Sequence, residues 1–179
     1  MATQIKSFFD TRTFTLTYVV FDENSRDAIV IDPLLDYEPA ASKVWTESVE
    51  AVLDFLKGKE LNLRYVIETH AHADHLTASG WMRRRTGARM ACGRGITTVQ
   101  KNFARVFNME QTPTDGSQFD RLLVEGDVIQ LGALNIEVVE TPGHTGDSVT
   151  YLAGDAAFIG DTLFAPAFGT ARCDFPGGD

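Results

Sequence analysis

The stretch ETHAHADHLTASG, residues 68–80, holds three of the chain's four histidines with an aspartate among them, directly behind the apolar run YVI. This cluster restricts what the chain can fold into. Imidazole and carboxylate at such density suit a metal ion, and an ion needs ligands that a single short segment does not complete. Further ligands must therefore reach the end of this strand from distant positions. Two segments offer them: ETPGHTGDS places His144 in a Gly-Pro-rich loop behind a strand, and FIGDTLF places Asp161 behind another. Loops at strand ends hold functional groups on a rigid scaffold, so the three converge if their strands are neighbours. Side chains alternate along an extended segment, which predicts His70 and His72 on one side, approaching one ion together. Asp74 and His75 follow the turn into a helix. Chance crowding on a polar loop is the plain alternative, and the density argues against it.

The rest of the chain reads as interleaved strands and helices. FTLTYVVFD at 14–22 and the following AIVID form a hairpin-like pair, which Pro33 closes. Between Ser42 and Lys59, residues Val44, Val49, Val52, Leu53, Phe55 and Leu56 recur at helical spacing, with Gly58 near the stop. RYVIETH is a short buried strand, HLTASGWMRRRTG a helix stopped at Gly87, and ARMAC another strand. ITTVQKNFARVF predicts a helix with Ile96, Val99, Phe103 and Phe107 on one face, and NMEQTPTDGSQFDR a surface loop. From Asp127 onward VIQLG, LNIEVVET, SVTYLA and AAFIGD read as strands, with turns at Gly132-Ala133 and Gly154-Asp155. Many of these connections are too short for parallel crossovers, so an α/β (α+β) chain with mixed sheets is expected, not a doubly wound parallel sheet.

Composition bounds the function. With 179 residues and 44% hydrophobic content the chain can bury one core, and a single domain over 1–179 is expected. Asp plus Glu number 25 against 16 Lys plus Arg, a net charge of -9. The RRR at 83–85 fans around a helix, so nucleic acid is not an expected partner. Two cysteines, Cys92 and Cys173, fit a reducing compartment, and Cys173 is read as a packing residue. The N-terminus lacks a signal-peptide core, and no apolar run approaches ~18 residues. A soluble, cytoplasmic protein without a membrane partner is expected.

HxHxDH at 70–75, TPGHT at 141–145 and GD at 160–161 together resemble the metallo-beta-lactamase superfamily, and the resemblance runs through the whole chain. It implies a four-layer αββα sandwich, two mixed sheets with helices outside and a metal site at one edge. TFTLTYVVFD, AIVIDPLLDYEP, ETHAHADHLTASG and GTARCDFPGGD most resemble persulfide dioxygenases, and glyoxalase II is the next nearest. That resemblance implies one Fe(II) per chain, held by His70, His144 and Asp161 as the catalytic group. Glutathione persulfide and O2 would be its substrates. Two histidines and one carboxylate form the facial triad of non-haem iron oxygenases. His72, Asp74 and His75 match further ligands of dinuclear relatives. Zinc or a dinuclear site, hydrolysing glutathione thioesters, is therefore the alternative, and a non-catalytic metal-binding fragment is a third reading.

Arg172 matches a family position near glutathione, where its guanidinium suits a substrate carboxylate; a surface ion pair is the plain alternative. Asp32, ending a strand before Pro33, is expected either to support the site by hydrogen bonds or to cap a turn. Two departures stand out. Gly146 and Ser148 replace the proline and cysteine of the family's HTPxC pattern, and no histidine follows His144 where relatives supply a late one. The domain is thus expected to lack its C-terminal part, with a homodimer left open.

Overall fold

The computed structural model describes residues 3–109, 111–170 and 172–173, so the final DFPGGD lies outside it. The chain forms two compact units: residues 1–68, 72–90 and 130–135 make the first, and residues 69–71, 91–129 and 136–179 the second.

In the first unit, β1 (Gln4–Phe9), β2 (Leu16–Phe21) and β3 (Asp27–Ile31) are joined antiparallel, and β3 pairs in parallel with β6 (Asn62–Ile67). The apolar run Ala28 to Ile31 is fully buried, as expected of a strand covered on both faces. Helix α1 (Glu47–Gly58) lays Val49, Val52 and Leu56 against Val19, Phe21, Val30 and Val66. Phe55 meets Phe8 and Phe21 edge-on, both at 5.9 Å between centroids.

The predicted helix begins later than its apolar spacing suggested. β5 (Lys43–Trp45) pairs instead with β4 (Leu34–Glu38), so the sheet structure also continues past Pro33. The physical reason is Asp36, whose buried carboxylate accepts the Ser48 N–H at 2.8 Å and the Ser48 hydroxyl at 2.6 Å, satisfying the first turn of α1 from outside the helix. Downstream, β7 (Leu76–Thr77) pairs with β4, and α2 (Ser79–Thr86) follows. Gly87 stops α2 in the left-handed region at φ 74°, as its sequence signalled.

β8 (Arg89–Gly93) enters the second unit at Ala91 and pairs in parallel with β9 (Arg121–Leu123), a strand the loop-like composition concealed. On α3 (Ile96–Val106), Ile96 and Val99 are buried with Cys92. Phe107 lies beyond the helix end and is exposed, stacked on Phe103, so it is not part of the buried face. β10 (Val128–Leu131) leads through Gly132 into β11 (Leu134–Glu140), whose burial alternates residue by residue. β11, β12 (Val149–Ala153) and β13 (Ala156–Phe158) pair antiparallel in order. The end of β6, the β11–β12 connection and the end of β13 carry the histidines and Asp161 singled out above. Among the described residues, no helix is long and apolar enough to cross a membrane.

Candidate metal centre

β6 ends at Ile67, and the chain bends at Thr69 and His70. Strand alternation therefore does not extend through the histidine cluster. His70 groups with His144 and Asp161 in the second unit, whereas His72 groups with Asp74 and His75, and also with Asp32 and Glu68, in the first. His70 and His72, expected to approach one ion together, thus fall in different candidate groups.

In the first of these sets, His70, His144 and Asp161 each offer a ligand atom, and all three atoms lie within 4.8 Å of one another. The Thr69 carbonyl accepts the Val149 N–H at 2.8 Å, fastening the bend to the start of β12. The Thr69 hydroxyl meets His70 Nδ1 at 2.9 Å. His144 sits in a loop closed by Thr141 N–H to the Ser148 carbonyl at 3.0 Å and by the Thr145 and Ser148 hydroxyls at 2.7 Å. Its Nδ1 donates to the Arg172 carbonyl at 2.6 Å, and its Nε2 stands 3.6 Å from Asp161 Oδ2. The two rings meet edge to face at 5.1 Å. An imidazole engaged through Nδ1 presents Nε2 to an ion, the arrangement found where outer hydrogen bonds orient metal-binding histidines. Two such rings and a carboxylate fit a divalent transition metal.

Asp161 arrives through a single 3₁₀ turn, Gly160–Thr162. Gly160 has φ 50°, and a Cβ there would lie 2.4 Å from Thr69 Oγ1 and 3.2 Å from His70 Nδ1. Only glycine lets this turn approach the His70 bend so closely. The Asp161 side chain is 38% exposed against 10% for His144, so the group is accessible on its carboxylate side.

In the first unit, His72 Nε2 lies 3.2 Å from both Asp32 Oδ1 and Glu68 Oε2, and all three side chains are nearly buried. Burial works against charge on the ring, but the Asp32 and Glu68 carboxylates outweigh it and hold the His72 pKa well above its ordinary value. Glu68 also accepts hydrogen bonds from the hydroxyls of Thr77 and Ser79. His75 Nδ1 stands 3.1 Å from Asp74 Oδ1 and 3.3 Å from the Thr15 hydroxyl. The hydrogen bond to His75 holds the Asp74 carboxyl down to about 2. His75 Nε2 is buried with no hydrogen-bond partner among the described residues.

Asp32 thus supports the histidine cluster directly, one of the two roles its position suggested. Glu68 was missed, although a charged residue closing an apolar strand just before the histidines was a usable signal. Replacing Glu68 by alanine strands the buried Ser79 hydroxyl and the His72 ring, and should cost about 3 kcal/mol. Urea unfolding of the variant against wild type measures it. Arg172 is exposed and reaches His144 through its backbone. Cys173, expected to be a packing residue, is exposed, and the buried cysteine is Cys92.

The family model described as the metallo-beta-lactamase superfamily matches residues 10–179. A probable metallo-hydrolase of Burkholderia pseudomallei is 44% identical over 98% of this chain and 63% of its own length. The bovine mitochondrial persulfide dioxygenase ETHE1 is 31% identical over 97% of this chain and 57% of its own length. The crystal structure of ETHE1 from Myxococcus xanthus superposes with a TM-score of 0.76 at 34% identity, covering 98% of this chain and 64% of that one. The chain spans less than two thirds of the length of each.

Proposed function

The chain belongs to the metallo-beta-lactamase superfamily, with its mixed α/β fold, and from that premise we propose that it is an iron-dependent persulfide dioxygenase acting on glutathione persulfide. The observation that supports this reading is the cluster of His70, His144 and Asp161, whose ligand atoms lie within 4.8 Å of one another, while His72 is hydrogen-bonded to Asp32 and Glu68. Three ligands suffice for a mononuclear site with open positions. The likeness to ETHE1 proteins supports the same reading.

The reaction balances as glutathione persulfide plus O2 plus water giving glutathione, sulfite and two protons. The terminal sulfur is oxidised, both oxygens of O2 are reduced, and the sulfur–sulfur bond breaks with the thiol as leaving group. Fe(II) in the triad would supply the open coordination positions and the redox chemistry that let O2 react with the sulfur. The protein's own contribution is positional. Thr69 and the Arg172 carbonyl hold the two rings through Nδ1, and the exposed side of Asp161 admits substrate. The Arg172 guanidinium, on an exposed residue whose backbone meets His144, is suited to a glutathione carboxylate.

One observation favours a second reading, a dinuclear hydrolase of glutathione thioesters. His75 Nε2 is buried without a hydrogen-bond partner among the described residues, in the group formed with His72 and Asp74, as a ligand awaiting a second ion would be. Metal analysis with two assays separates the two. The dioxygenase reading expects one iron per chain and one sulfite formed for each O2 consumed on adding glutathione persulfide. Two metals per chain with thioester cleavage and no oxygen uptake would replace it with the hydrolase.

A further inference from the structure

We propose that Asp147 is a positioning residue for the metal triad, its buried carboxylate tying the bend that carries His70 to the loop that carries His144. Asp147 is 3% exposed, and its Oδ2 accepts the Ala71 N–H at 3.0 Å. Ala71 directly follows His70, and Asp147 stands in the same tight loop as His144, so one hydrogen bond joins two ligand-bearing segments 76 positions apart.

A second tie runs beside it, from the Val149 N–H to the Thr69 carbonyl at 2.8 Å. The pairs 69 with 149 and 71 with 147 keep the register of an antiparallel ladder. In the second pair a side-chain oxygen serves where a backbone carbonyl would otherwise accept. The backbone carbonyl of Asp147 instead lies close against Gly93. A Cβ at Gly93 would lie 2.7 Å from that oxygen, and one at Gly95 would lie 2.6 Å from Asp147 Cα. Gly95 is the N-cap of α3, so Asp147 is wedged against the start of that helix and has little room to shift.

The carboxylate therefore acts as a fixed strut. It extends the strand-like pairing two residues beyond Thr69, past His70, at the point where the chain bends and backbone pairing would end. Shortening it frees Ala71 and lets His70 move relative to His144. A carboxylate accepting a backbone N–H is among the stronger hydrogen bonds, which suits a residue holding ligands in place.

This inference rests on the triad binding a divalent cation and is indifferent to which one. Co(II) is the probe, titrated into the metal-free 179-residue chain and followed by its visible absorption. Asp147→Ala is expected to weaken Co(II) binding about tenfold or more, with the far-UV CD spectrum retained. Asp147→Asn keeps an oxygen that can accept the same N–H and is expected to stay within about threefold of wild type. Wild-type affinity in Asp147→Ala, or equal losses in both variants, overturns the proposal. Amide hydrogen exchange tests the tie without any variant: the Ala71 amide should be as protected as those of β12, and a freely exchanging Ala71 overturns it. A wild-type chain with a protected Ala71 that binds no Co(II) would instead remove the metal reading and leave the tie standing.

Discussion

Gly160→Ala is expected to destabilise the protein by about 2–4 kcal/mol and to weaken metal binding at least tenfold. Two separate costs combine. At φ 50° a side chain crowds its own backbone, which costs roughly 1–2 kcal/mol for an L-residue. The added methyl then meets Thr69, with Oγ1 at 2.4 Å and Cβ at 2.8 Å, where a contact below 3.0 Å forces something to move. Thr69 cannot simply retreat, because its carbonyl holds the Val149 N–H and its hydroxyl holds His70 Nδ1. Relief must come from the turn bearing Asp161 or from the His70 ring, and either movement displaces a ligand. Gly126→Ala provides the control. Gly126 has φ 77° with nothing within 4 Å of its added Cβ, so it incurs the backbone cost of about 1 kcal/mol alone and should leave metal affinity unchanged. Urea unfolding and Co(II) titration of both variants decide the matter. Equal effects at the two glycines would mean that the close approach at Gly160 does not govern the site.

The same glycine shows how far the sequence could be read. Gly160 and Asp161 were recognisable as a strand-end pair, and His144 stood out in its Gly-Pro loop, because apolar periodicity marks where strands stop. The core of α1 was legible for the same reason: Val49, Val52 and Leu56 share one face, and all three are buried. What periodicity cannot report is a partner supplied from elsewhere. β5 took the place of a first helical turn because Asp36, a dozen positions upstream of Ser48, satisfies the helix start. The bend at Thr69 and His70 is likewise fastened from a distance, by the Val149 N–H on the Thr69 carbonyl. Asp147 carried no local signal, since its hydrogen bond to Ala71 exists only once both segments are folded. Glu68 carried a local signal as a charge closing an apolar strand, but its partners Thr77 and Ser79 lie across the bend and only folding brings them to it. Local chemistry singled out the candidate ligands, and long-range hydrogen bonds fix the neighbours that each of them meets.

On the proposed dioxygenase reading, His144→Ala should abolish metal retention and oxygen uptake while leaving the far-UV CD spectrum close to wild type, and its comparison with Asp74→Asn measures how many metals the protein uses. The His144 loop is closed by bonds that do not involve the ring, from Thr141 to Ser148 and between the Thr145 and Ser148 hydroxyls, so the backbone should survive loss of the imidazole. What remains is one imidazole and one carboxylate, too few to hold an ion at a site that also keeps positions open. Asp74 differs in kind. Its side chain is 58% exposed, and its folded-state pKa is depressed, so any stability it confers through His75 is present above the ordinary carboxylate range and lost as pH falls toward about 2. Near neutral pH, Asp74→Asn removes a negative charge beside His75 with little consequence for the fold. A mononuclear enzyme should then keep its one iron and its oxygen uptake, whereas a dinuclear enzyme should lose a metal and its thioester cleavage. Oxygen uptake retained by His144→Ala would exclude that residue from the centre, and oxygen uptake lost by Asp74→Asn together with a metal would show that the second histidine set binds an ion of its own.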